Sequence, residues 1–123
     1  VSEYSVYNAL IHLKPYGSTG PDLLDNRLLT HLADVLSAPV CSLINSSIRS
    51  GTVPFQWRIS RVSPIPKVTP ALCIESDIRP ISITPALSKI AESFIARFLT
   101  IILVLGLTKT SLEAPKRDLL PTL

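Results

Sequence analysis

The 123-residue chain is long enough for one small core, and with 46% hydrophobic and 17% charged residues it is too apolar for wholesale disorder. Its net charge is a modest +3, and its two cysteines, Cys41 and Cys73, have neither the number of a disulfide framework nor the spacing of a zinc site. Both are expected as buried free thiols, and His12 and His31, each in a Leu-rich stretch without a second ligand beside it, are expected to hold no metal.

The 11 prolines against 4 glycines favour rigid extended connections over flexible ones. A chain that begins Val1-Ser2-Glu3 and contains no Met reads as an excerpt of a longer protein. Its first residues lack a basic region followed by an apolar run, so no secretory leader is expected.

In chain order, Leu24, Leu28, Leu32 and Leu36 recur every four positions and predict a helix over 22–36, with Asp22 or Asp25 as its cap. Ser37-Ala38-Pro39 predicts a break and restart, because Pro is tolerated in the first turn of a helix and not inside one. The second helix presents Val40, Leu43, Ile44, Ser47 and Ile48 on one face and ends at Gly51, where a left-handed cap is needed. Trp57 follows a Pro-broken turn and is expected to anchor a core. Arg58 to Ile65 reads as extended, with Pro64 and Pro66 confining it to an edge. The segment 67–77 has no periodicity and predicts a loop leading to a second extended run, 78–83, so that 58–67 and 78–83 form a finger-like hairpin.

Thr84-Pro85 is a helix start, a capping hydroxyl followed by Pro. Leu87, Ile90, Ala91, Phe94, Ile95, Phe98 and Ile102 then mark an apolar stripe, while Lys89 and Glu92, three apart, suit a surface ion pair. The continuous apolar run from Phe98 to Leu107 falls short of the ~20 residues of a membrane span, so a buried helix end is expected. The tail 108–123, with Pro115 and Pro121, has no period and is expected to be poorly ordered.

Charge is informative through its distribution. No acidic residue occurs between Asp34 and Glu75, while Arg49, Arg58, Arg61 and Lys67 fall there. Such a segment favours an anionic partner such as phosphate or nucleic acid, although a solvated basic face has the same composition.

Several short motifs stand in one order: Gly20-Pro21-Asp22, Gly51-Thr52-Val53-Pro54 with Trp57, Pro64-Ile65-Pro66-Lys67, then Asp77-Ile78-Arg79-Pro80-Ile81-Ser82 followed by Lys89 and Glu92. The set, spread over 14–99, resembles the fingers and the start of the palm of reverse transcriptases of non-LTR (LINE-type) retrotransposons. Order across motifs is more specific than any one of them. The resemblance implies an α+β fold, an incomplete fingers and palm portion that is helix-rich with a two-stranded finger hairpin. It implies a partial domain over 1–99 and a divergent tail over 100–123, where the family pattern fades.

A polymerase must neutralise the triphosphate of an incoming nucleotide, and a finger bearing Lys67 and Arg79 at the two ends of its loop suits that chemistry: Arg offers a planar fork, Lys a mobile point charge. The resemblance implies the same pair, since the family's fingers Lys and Arg at these motif positions contact nucleotide phosphates. Arg58 and Arg61, leading into the finger, suit a template backbone. The implied partners are an RNA or DNA template and deoxynucleoside triphosphates, without a membrane. The intact family uses Mg2+: palm aspartates hold two ions, one activating the primer hydroxyl and one stabilising the leaving pyrophosphate. No adjacent Asp pair occurs in this chain, so no catalytic residue, metal or cofactor is assigned to it. The sequence therefore reads as a fingers fragment of an RNA-directed DNA polymerase, inactive by itself. The alternatives are a non-catalytic nucleic-acid-binding or interaction module and a functionless remnant. A nuclear or cytoplasmic site is expected for an intact relative.

Overall fold

The computed structural model describes residues 1–112, with side chains through Lys109. Helices α1 (Glu3–Ile11), α2 (Asn26–His31) and α3 (Ala33–Ser50) come first. A 3-10 turn at Phe55–Arg58, strand β1 (Arg61–Pro66), the single turn α4 (Ile74–Asp77), strand β2 (Ile78–Ile83) and helix α5 (Ala86–Leu112) follow. This is a mixed helix-plus-strand chain with one two-stranded antiparallel sheet. Two compact units are distinguishable, Val1–Glu92 and Ser93–Leu123, with the division inside α5. Of the tail expected over 108–123, the first residues belong to α5, and 113–123 lie outside the described residues.

The core of the first unit is helical. Val6 and Leu10 of α1 are fully buried, as is Ile44 of α3, with Leu29, Ala33, Val40 and Cys41 nearly so. Thr30 ties α2 to α1 by donating to the Leu10 carbonyl at 3.1 Å. The buried positions correct the sequence expectation. The four-residue leucine ladder does not face the core: Leu28 is 50% exposed and Leu32 is 42% exposed. The inward stripe is shifted by one, to Leu29, Ala33, Ser37 and Val40. Small side chains at Ala33 and Ser37 permit a close helix approach that bulkier leucines would prevent. On the second expected face Val40 and Ile44 are inside, while Leu43 and Ile48 are exposed.

The chain also breaks at a different place. The interruption falls at Leu32, and α3 continues through Pro39. Proline removes the N–H that would bond the Val35 carbonyl. Both Val35 and Pro39 are exposed, so water can take that carbonyl and the helix survives. Asp25 is the α2 cap, its Oδ1 accepting the Arg27 amide at 2.9 Å. Gly51 closes α3 at φ 64°, the left-handed conformation expected of it.

Helix α5 begins one residue later than expected, with the Pro85 carbonyl accepting the first bond from the Lys89 amide. Pro85, Ala86, Ser88, Ile90 and Ala91 are buried. A Cβ on Gly20 would lie 2.7 Å from Pro85 Cα and 2.8 Å from its nitrogen, so only glycine lets the loop before α2 meet the start of α5. Glu92 accepts a hydrogen bond from Ser88 at 3.1 Å, not an ion pair from Lys89. Among the described residues the salt bridge is Arg27–Asp25. Beyond Phe94 every side chain through Lys109 is exposed, which overturns the expectation of a buried helix end.

Candidate functional site

The hairpin carries the candidate site. Its register pairs Arg61 with Ile83, Ser63 with Ile81 and Ile65 with Arg79. The Lys67 amide donates to the Asp77 carbonyl at 2.6 Å, continuing the pairing one step past the strands. Side chains alternate faces along a strand, and directly opposed residues share a face. Arg61, Lys67 and Arg79 therefore all lie on one face of the sheet, with Ser63, Ile65, Ile81, Ile83 and Asp77. Lys67 and Arg79 are diagonal neighbours, a relation with a separation of about 7–8 Å. Arg61 is four residues down the strand from the level of Arg79, about 14 Å away at strand rise. That distance separates Arg61 from any group gripped by the other two.

The four basic residues differ in what holds them. The Lys67 ammonium donates one bond to the Ser76 carbonyl at 2.8 Å, which orients it and leaves two N–H donors to spare. The Arg79 side chain is exposed and makes no hydrogen bond or ion pair among the described residues. Arg61 Nη2 donates to the Thr19 carbonyl at 3.0 Å, fastening the root of the hairpin to the loop that meets α5. Arg58 lies outside the strand in which it was expected: it ends the 3-10 turn, its guanidinium 5.7 Å from the centre of the Phe55 ring. That is a cation–π contact made within one turn. Trp57, beside it, is half-buried, so it is only partly the core anchor expected.

Asp77 is the residue that sequence reasoning passed over as a site component. Its Oδ2 accepts the amides of Leu72 at 3.1 Å and Cys73 at 3.0 Å, and its Oδ1 accepts the Ser76 hydroxyl at 2.8 Å. These bonds, the Ser76 hydroxyl first and the two amides after it, hold its carboxyl below the usual carboxylate range. The carboxylate thus folds the end of the 67–77 loop, including the carbonyl on which Lys67 rests. An Asp at the fourth and last position of the single helical turn Ile74–Asp77 was the available signal. Cys73, expected inside, is exposed in this turn, and hydrogen bonding to Ser76 lowers its thiol pKa. It is exposed because the loop has no core beneath it.

No group of three or more His, Cys, Asp or Glu gathers among the described residues. Comparison with protein-family models, curated proteins and solved structures gives no match.

Proposed function

We propose that this chain is the fingers portion of an RNA-directed DNA polymerase of the non-LTR retrotransposon type, binding nucleic acid and nucleotide phosphates without performing catalysis. The observation that carries the reading is the placement of Lys67 and Arg79 as diagonal neighbours on one open sheet face. They belong to the Pro64–Lys67 and Asp77–Ser82 motifs, which stand in the family's order. On this reading the Arg79 guanidinium, without a partner among the described residues, supplies a two-pronged grip on phosphate oxygens, and Lys67, oriented by Ser76, adds a point charge beside it. Arg61, about 14 Å away along the strand, touches a different phosphate, that of the template backbone. Arg58 joins it only by leaving the Phe55 ring. Asp77 shares the face and tempers its potential, so the anion affinity is modest.

The test is binding and primer extension on the purified chain. Single-stranded nucleic acid should bind weakly, and contact with three phosphates should give a log–log salt slope of about −2. Binding insensitive to salt would overturn the electrostatic account. The Lys67→Ala/Arg79→Ala pair should lose most of the affinity for a deoxynucleoside triphosphate. No template, primer or divalent metal should elicit nucleotide incorporation. Incorporation above background would refute the reading of the chain as lacking the active site. Grafting 58–83 into an intact polymerase of the family, with the same two substitutions, should raise the nucleotide KM or lower kcat while leaving template affinity nearly constant.

A further inference from the structure

The second unit exposes a long, nearly continuous run of large apolar side chains. Phe98, Leu99, Ile101, Ile102, Leu103, Val104, Leu105 and Leu107 are all open, with Leu103 64% exposed and Leu107 69% exposed. At 100° per residue these eight positions leave no angular gap wider than about 60° around the helix axis. A groove or a second helix covers one stripe of a helix, an arc of roughly 100° or a little more. Such a partner would leave most of this surface in water. The segment requires surroundings that are apolar on every side.

Its polar atoms agree. Thr100 Oγ1 donates to the Ala96 carbonyl and Thr108 Oγ1 to the Leu105 carbonyl, each at 2.8 Å. Both hydroxyls are thus satisfied by the helix itself, as a hydrocarbon environment demands. Charge agrees as well: Arg97 and Lys109 bracket the stretch, and no acidic residue lies between them.

We propose that Phe98–Thr108 inserts into a lipid bilayer, with Arg97 and Lys109 at the headgroups. By length and composition Ala86–Lys109 is apolar enough to cross a membrane. Its first turns are already committed, because Ala86, Ser88, Ile90 and Ala91 are buried within the first unit. Twelve steps from Arg97 to Lys109 rise about 18 Å, against a hydrocarbon core of about 30 Å. The segment therefore sits as a short insert, accommodated by snorkelling of the two flanking cations and local thinning of the bilayer. This role is independent of the hairpin and its phosphates.

The experiment is flotation of the full chain with phosphatidylcholine vesicles, with and without phosphatidylserine, at low and high salt. The chain should float with both compositions and stay bound at high salt, because apolar insertion is not screened. Leu103→Arg should reduce the partition coefficient on the order of a hundredfold, and Leu103→Ile should leave it unchanged. Near-ultraviolet circular dichroism from Trp57 monitors the first unit in each variant. A chain that fails to float overturns the proposal, as does one that forms a defined oligomer and ignores vesicles. Binding that needs phosphatidylserine and is released by salt also overturns it, since the basic 35–74 segment would then account for the association. Equal flotation of Leu103→Arg does the same.

Discussion

The helical base and the hairpin of the first unit are stabilised in opposite ways. Between α1 and α3 the contact is made by side chains that lose all or nearly all their solvent, Val6, Leu10 and Ile44 foremost. In the hairpin nothing is buried: Val62, Ile65 and Ile81 remain exposed, and the two strands chiefly contact each other. An isolated two-stranded hairpin is marginal in water. This one is held by its ladder, by the Arg61–Thr19 bond at its root and by the Asp77 carboxylate at its tip. The region bearing the candidate chemistry is thus the one that opens first, and the region without chemistry supplies the rigidity.

The largest test of that contrast is Ile44→Ala, which should cost about 2–5 kcal/mol through lost burial and a cavity. Amide hydrogen exchange would resolve where the loss falls. Protection in α3 should drop by the full amount, while hairpin amides, exchanging through local openings, should change far less. If hairpin protection fell in step, the two regions would be a single cooperative body.

Gly20→Ala should come next, at about 1–3 kcal/mol, because the new methyl meets Pro85 backbone that has no flexible end to give way. Thr19 moves with Gly20, so amides near Arg61 should lose more protection than those near Lys67. Uniform loss along the hairpin would remove Arg61 from its role as anchor.

The smallest effect is acid-dependent. The folded carboxyl of Asp77 titrates below its unfolded value, so its stabilisation is present above the unfolded pKa and is lost as pH falls through the folded one. Protection of the Leu72 and Cys73 amides should therefore decline below the ordinary carboxylate range, and Asp77→Asn should abolish the pH dependence. Persistence of that dependence in the variant would assign it to another group.

How much of this was legible in the sequence follows from the kind of signal each part emits. Gly51 and the prolines at 64, 66 and 80 act on their own backbone, so the α3 cap and the second strand lie where a local reading puts them. The first strand starts at Arg61 rather than Arg58, because the turn after Pro54 takes in Arg58 and the ladder begins only after Ile59 and Ser60. The inward face of α2 and α3 was misread because leucines announce hydrophobicity, whereas Ala33 and Ser37 announce only their size. Which stripe packs depends on α1, a non-local fact. The candidate cations were legible as residue types, and Lys67 and Arg79 as sharing one face; Arg58 falls outside the strand. Their partners were not, since Thr19 and Ser76 contribute carbonyls, which every residue carries.

The absence of burial in the hairpin has a consequence for natural variation. A core position is constrained by volume whatever the protein does, so tolerance there measures folding. Hairpin side chains such as Arg79 fill no space, and a saturating substitution scan at Arg79 would be almost free of that background. Any intolerance it met would reflect a demand made by something outside the chain. The ratio of tolerance at Arg79 to that at its cross-strand neighbour Ile65 would then measure how strongly that outside partner requires a guanidinium.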